Sequence, residues 1–309
     1  MTGLPFPSVP DTKRAEILEG FVRTHRARFE AALAEVLPMP EGLPPALPRA
    51  AAAALGVKGN PGSRWRPLLT LAAARACGGD DSSALPVALA VELTHTASLI
   101  LDDLPSMDDS SLRRSRAATH LEVGTGGAIL LALSLLGRSA ELLGSIPRSG
   151  GALAAEWGGA FGIAGMCGGQ AVDLTGAFAA GGSPRRLHRK KTTGLSEFAL
   201  KGAAIAVGAP QATESGLARF GRDLGWAYQL ADDADDWAED GQFGKGPAGR
   251  APRRQSRRLL IRSLGTLRST PGLDQEGRTL LEALAERTAG VDPERPEAEP
   301  DHQRWGMTA

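Results

Sequence analysis

The amino-acid sequence predicts an all-α fold, and three observations carry the prediction. Alanine and leucine dominate, alternating runs of β-branched residues are absent, and apolar residues recur three or four positions apart, which is the period of a helix. Taken in order, the pattern predicts helices over Asp11–Leu37, Pro45–Leu55, Trp65–Ala76, Leu85–Leu104, Thr119–Leu143, Gly151–Asp173, Arg185–Val207, Leu217–Ala238, Arg254–Leu267 and Gln275–Thr288. Gly- and Pro-rich stretches at Lys58–Gly62, Gly78–Ser83, Ala179–Pro184 and Gly241–Pro252 separate them, because the backbone needs turn geometry there. The fourth helix is expected to break at Pro105, which lacks an N–H and clashes with the preceding turn.

A chain of 309 residues with 42% hydrophobic side chains can bury one large core, so residues 1–290 are read as a single helical bundle around a cavity. Residues 291–309 are rich in Pro and charge and cannot offset their own ordering entropy, so a flexible tail is expected. Lysine plus arginine equals aspartate plus glutamate at 35 each, which recommends neither nucleic acid nor an anionic membrane as partner. Cys77 and Cys167 lie far apart in apolar or small-residue surroundings, which fits a reducing compartment and a cytosolic protein. Residues 1–10 show no export signal, and no run reaches about 18 uninterrupted apolar residues, so no membrane span is expected. The longest apolar run, Ala128–Leu136, suits a buried core helix. Gly124-Thr125-Gly126-Gly127 follows no strand and does not read as a nucleotide loop. His120 and His188 lack partners at metal-ligand spacing and read as structural or surface residues.

Chemistry concentrates in two aspartate clusters. The first, Asp102-Asp103-Leu104-Pro105-Ser106-Met107-Asp108-Asp109, ends an apolar helix, and the break at Pro105 lets Asp108 fold back towards Asp102. The second, Asp232-Asp233-Ala234-Asp235-Asp236, places Asp232 and Asp236 on one helical face. Like charges at that spacing destabilise a helix unless a cation sits between them. A hard divalent ion such as Mg²⁺, which takes one or two carboxylates plus phosphate oxygens, resolves the conflict. Basic residues at Arg64, Arg66, Arg113, Arg114, Lys191 and Lys245 read, beside these clusters, as diphosphate ligands.

With these residues in view, the chain resembles the trans-isoprenyl diphosphate synthases, the polyprenyl synthetase family. The likeness runs through Glu92 to Asp109, Arg113-Arg114, Lys191-Thr192 and Gly225 to Asp236. It extends more weakly from about Asp11 to Lys245, including Gly168-Gly169-Gln170 and Asp173. The first motif is similar to that of bacterial geranylgeranyl diphosphate synthases. The resemblance implies that an allylic diphosphate is condensed with isopentenyl diphosphate, in a homodimer. It implies that Asp102, Asp103 and Asp108 hold Mg²⁺ against the allylic diphosphate, and that Asp232 and Asp236 hold a further ion from the opposite wall. Arg113 would touch the allylic diphosphate. Arg114, Arg66 and His95 match contacts to isopentenyl diphosphate, and Lys191, Thr192, Gln229 and Lys245 match residues near the leaving group and developing cation. Ala97 and Ser98 lie five and four positions before Asp102, roughly 6–8 Å along the helix, where relatives set product length. Both are small, which points to a product longer than farnesyl diphosphate. Ser63 stands where the family carries a lysine, and serine is also a favoured N-cap for the helix that follows it; both readings can hold at once. A class I terpene cyclase on the same scaffold and a non-catalytic regulatory subunit of a prenyl synthase are the alternatives.

Overall fold

The computed structural model describes residues 11–57, 61–113, 116–177, 182–240 and 250–289. The expected tail, residues 291–309, lies outside them. Among the described residues there are eleven helices: α1 Asp11–Ala34, α2 Ala46–Ala54, α3 Trp65–Ala76, α4 Asp81–Asp102, α5 Thr119–Gly144, α6 Gly150–Phe161, α7 Met166–Leu174, α8 Gly182–Ala206, α9 Gln211–Asp240, α10 Arg250–Ser269 and α11 Gln275–Ala289. The all-α expectation holds, and each predicted helix is present, with one divided in two and another, α5, kinked at Gly124 (φ 74°, ψ 162°).

The division is a correction to the expected Gly151–Asp173 helix. At Gly165 a Cβ would overlap the Ala160 carbonyl, so only glycine permits the close turn between α6 and α7. A second feature absent from the expectation is a two-residue antiparallel ladder, β1 Leu112–Arg113 with β2 Arg116–Ala117, pairing Leu112 with Ala117 and Arg113 with Arg116. Four helices also begin several residues earlier than expected: α4 at Asp81, α8 at Gly182, α9 at Gln211 and α10 at Arg250. Asp80 caps α4 by accepting from the Ser82 N–H at 3.2 Å, and Pro86 falls in an early turn of that helix. Similarly, α10 starts at Arg250 with Pro252 in its first turn, where a missing N–H costs least.

α8 runs through the middle of the bundle, packed against α3, α4, α6, α7 and α9, while α10 and α11 close the far side. α4 lies between α3, α5 and α8. The main core joins Phe29, Leu68, Leu93, Leu135, Leu200, Phe220, Leu260 and Leu284, contributed by eight different helices. A smaller cluster of Val87, Val91, Leu143, Leu153, Leu195 and Phe198 binds α4, α5, α6 and α8 together. By length and composition α4 and α5 could each cross a membrane, with mean hydropathies of 1.6 and 1.4, although no 18-residue run is uninterrupted. Within the bundle 67% of the apolar window in α4 is buried, as a core helix requires, but only 39% of that in α5, so the expected core run Ala128–Leu136 is buried on one face only.

Candidate active site

The C-terminus of α4 shapes the first acidic cluster. The helix ends at Asp102, Asp103 follows with helical dihedrals, and the turn closes when the Asp108 N–H donates to the Asp102 carbonyl at 2.9 Å. Asp109, with φ of 49°, finishes the turn by donating its N–H to the Leu104 carbonyl at 3.1 Å. This is the break and return that Pro105 predicts.

The three carboxylates meet different surroundings. Asp102 is half-buried, and burial pushes its carboxyl up to about 6. Lys191 and Arg113 oppose that rise, while Asp108 and Asp103 add to it. Asp103 is buried and gripped by Arg113, whose Nε lies 3.1 Å from each carboxylate oxygen while Nη2 makes a further bond. The short ladder supplies Arg113 at this position. Asp108 is exposed. Among the described residues no three acidic, thiol or imidazole groups converge on one point.

α8 brings the next group. Lys191 Nζ donates to Asp173 Oδ2 at 2.6 Å, and His188 Nε2 lies 2.9 Å from Asp173 Oδ1. Burial works against the Asp173 charge, but Lys191 and His188 win and hold its carboxyl below the usual carboxylate range. Gly169 makes the arrangement possible, because a Cβ there would strike the Lys191 backbone. Gln170, also on α7, donates to the Met107 sulfur at 3.7 Å, and its Oε1 is buried without a partner. Thr192 donates to Gln229 Oε1 at 3.3 Å, linking α8 to α9. Gly225 permits that approach, since a Cβ there would stand 2.7 Å from Ser196 Oγ.

A second group gathers around α3. The Arg66 guanidinium lies 4.2 Å from the Trp65 ring centre and 5.9 Å from that of Tyr228, and its Nε is buried without a hydrogen-bond partner. Burial lowers its pKa, while Tyr228, Glu92 and Asp232 oppose the shift. Asp232 is exposed on α9, and its charge acts on Arg66. His95 is half-buried on α4, one turn beyond Glu92. Ala97 is wholly buried and Ser98 half-buried, its hydroxyl donating to the His95 carbonyl at 2.8 Å. Arg114, Lys245 and the side chain of Asp236 lie outside the described residues.

Two sequence readings need correction. Arg64 is no diphosphate ligand: it is buried, with its guanidinium engaged by Glu30, Glu92 and the Leu55 carbonyl. Nor does Ser63 cap α3, since Arg64 occupies the N-cap in a left-handed conformation and no side chain caps the helix. Sequence reasoning also left Glu30 aside, and nothing local marks it, because its partner lies 34 residues away.

Comparison with known proteins places this geometry. A family model described as Polyprenyl synthetase matches residues 50–249. The chain is 40% identical over 201 residues to a geranylgeranyl diphosphate synthase of Pseudescherichia vulneris, covering 62% of this chain and 65% of that protein. It is 38% identical over 192 residues to the geranylgeranyl diphosphate synthase of Pantoea ananas, covering 58% and 62%. With the farnesyl diphosphate synthase of Geobacillus stearothermophilus it shares 36% over 228 residues, covering 70% and 74%. The matches thus span about three fifths to three quarters of these relatives. Among solved structures, an FPP/GFPP synthase from Zymomonas mobilis superposes with a TM-score of 0.74 at 28% identity, over 89% of this chain and 99% of that one. A geranyltransferase from Helicobacter pylori gives 0.73 at 27%, over 90% and 99%.

Proposed function

Because the chain belongs to the polyprenyl synthetase family, we propose that it is a Mg²⁺-dependent prenyltransferase joining an allylic diphosphate to isopentenyl diphosphate, with geranylgeranyl diphosphate or a near neighbour in length as product. The observation that carries the reading is the end of α4, where Asp102 and Asp108 are tied together by a backbone bond, both lie within the field of Arg113, and Asp102 also lies within that of Lys191.

The donors fit a hard divalent ion. Asp102 is a half-buried carboxylate whose charge is opposed by burial and by two acidic neighbours, so a cation beside it relieves both. The lack of a complete protein cage among the described residues suits Mg²⁺, which keeps waters and shares substrate oxygens. Asp102, Asp103 and Asp108 would hold it, with Asp232 and Asp236 facing them. When bound, Mg²⁺ supplies charge neutralisation that makes diphosphate a good leaving group.

The protein's own groups do the rest. Arg113 and Lys191 donate charge-assisted hydrogen bonds to the allylic diphosphate, Lys191 exchanging Asp173 for a phosphate oxygen as substrate arrives. Thr192 and Gln229, hydrogen-bonded to each other, present oxygen dipoles to the developing allylic cation. By the family resemblance Arg66, His95 and Arg114 would hold the diphosphate of isopentenyl diphosphate, and Lys245 would serve the leaving group. The isopentenyl double bond attacks the cation, a new C–C bond forms, and the proton lost from the adduct passes to the released diphosphate.

The partner in solution is a second copy of the chain, an inference supported by the exposed Ile129, Leu130 and Leu133 on α5. Both cysteines are free, which supports residence in the reducing cytosol. Mass spectrometry after incubation with isopentenyl diphosphate and dimethylallyl, geranyl or farnesyl diphosphate, with Mg²⁺ or with EDTA, tests the activity. A twenty-carbon diphosphate formed only with Mg²⁺ is expected. Hydrocarbon release from geranylgeranyl diphosphate alone, or no product in any mixture, overturns the proposal.

A further inference from the structure

Two guanidiniums two residues apart, Arg64 and Arg66, stand within the field of one carboxylate, Glu92. Arg64 takes it. Its backbone is in the left-handed region (φ 54°, ψ 23°), unusual for a residue with a side chain, and this directs the side chain into the bundle, where it is 1% exposed. There Nε and Nη2 donate to the two oxygens of Glu30 at 2.9 and 3.1 Å, Nη2 donates to the Leu55 carbonyl at 2.6 Å, and Nη1 donates to Glu92. One side chain so engaged joins α1, the end of α2 and α4 at the start of α3.

Arg66 is the opposite case. Its Nε is buried without a partner, and among the described residues no carboxylate pairs with it. Glu92 is itself only 4% exposed, and a buried carboxylate without a counter-charge is costly. Were Arg64 absent, Glu92 would turn to a cation already in range. Arg26 is one, but it is committed to the Gly62 carbonyl at 2.8 Å and to Glu30. Arg66 is the other.

We propose that Arg64 is a positioning residue: by holding Glu92 it keeps that carboxylate off Arg66 and leaves the Arg66 guanidinium open to a diphosphate. The proposal rests on the reading above that Arg66 faces the isopentenyl substrate. On this view the buried arginine serves binding through its neighbour, and the strain at its backbone maintains that arrangement.

The test compares Arg64→Met, Glu92→Gln and the double variant, with Arg66→Gln as reference. Calorimetry with inorganic pyrophosphate in EDTA reports binding without turnover, and steady-state kinetics with both substrates separates the two Michaelis constants. Arg64→Met is expected to weaken pyrophosphate binding about tenfold and to raise KM for isopentenyl diphosphate similarly, the scale of one charge-assisted contact, with the allylic KM within about twofold. Adding Glu92→Gln should restore both to within about threefold of wild type, because the competing charge is gone. A merely structural role predicts no rescue, since the double variant lacks both anchors, and that result overturns the proposal. Pyrophosphate binding unaffected by Arg66→Gln overturns it as well. If Arg64→Met fails to fold by circular dichroism, Arg64→Lys decides: it retains a charge for Glu92 and should bind pyrophosphate as wild type does, and tenfold loss would refute the idea. A wild type that binds pyrophosphate through Arg66 but never consumes isopentenyl diphosphate defeats the proposed activity and leaves the Arg64 result standing.

Discussion

Ser63 stands half-buried between the left-handed Gly62, at φ 70°, and the left-handed Arg64. Its hydroxyl can donate one hydrogen bond but brings no charge where family members carry lysine. Charge-assisted bonds to phosphate are roughly twice as strong as neutral ones. Ser63→Lys is therefore expected to lower KM for isopentenyl diphosphate several-fold and to leave the allylic KM unchanged. Equal KM values in both proteins would mean that residue 63 does not face that substrate. Asp102 carries more. It is half-buried at the helix end, where its charge is opposed by burial and by Asp108 and Asp103, which an incoming cation would relieve. Replacing it with alanine should cut kcat by at least about 10²–10³-fold, the scale of one well-placed electrostatic group, while the melting temperature holds or rises. Near-normal turnover in Asp102→Ala would remove it from the metal site.

At the scale of elements, α4 joins the chemistry to product length. One end carries Asp102, and one to two turns back Ala97 lies wholly buried in the core with Ser98 beside it. On the proposed activity, a chain growing along this helix from the metal site would pass a methyl and a hydroxyl at this level. Ala97→Phe should shorten the product towards fifteen carbons, and overpacking so well-buried a position should also cost about 1–3 kcal/mol of stability. Product analysis beside thermal unfolding checks both. An unchanged product in a folded variant would place the chain along another wall. The turn beyond α4 follows from local chemistry, because Pro105, more than twenty residues from the helix start, removes an N–H that a continuing helix would need. The division of α6 from α7 was harder to see. Gly162 and Gly165 read as tolerated glycines in a helical pattern, and only the Ala160 carbonyl pressed against Gly165 reveals the turn.

At the scale of the whole molecule, one face among the described residues gathers exposed apolar side chains. Along α5, Ile129, Leu130 and Leu133 are 37%, 63% and 55% exposed, on a stretch from Gly126 to Gly137 without a charged residue. Neighbouring α6 exposes Gly151, Ala152, Ala155, Gly158 and Gly159. A Cβ at Gly151, Gly158 or Gly159 would meet nothing within 4 Å, so the chain's own packing does not call for glycine there, although glycine weakens a helix. A ridge beside a groove of small residues suits an isologous contact, in which each copy's ridge fills the other's groove. Leu130→Glu should convert a dimer into a monomer in analytical ultracentrifugation, with the helical circular dichroism unchanged. A monomeric wild type would reject this surface as a self-contact, and binding of the wild type to lipid vesicles would assign it to a membrane instead.

What the sequence determined by itself is whatever short-range covalent and periodic rules control. The helical period set the fold class, Pro105 ended α4 at the first acidic pair, and the six-residue return of Asp108 to Asp102 followed. The motif spacing identified the family. What tertiary structure alone decided are pairings between residues remote in sequence. Lys191 meets Asp173 across 18 residues, Thr192 meets Gln229 across 37, and Arg64 meets Glu92 and Glu30 across 28 and 34. Arg64 and Arg66 look equivalent as residues in a basic segment, yet one is sealed in the core and the other left with an unpartnered Nε. The difference arises because a guanidinium's role depends on which carboxylates the packed helices bring to it, and no local rule carries that information.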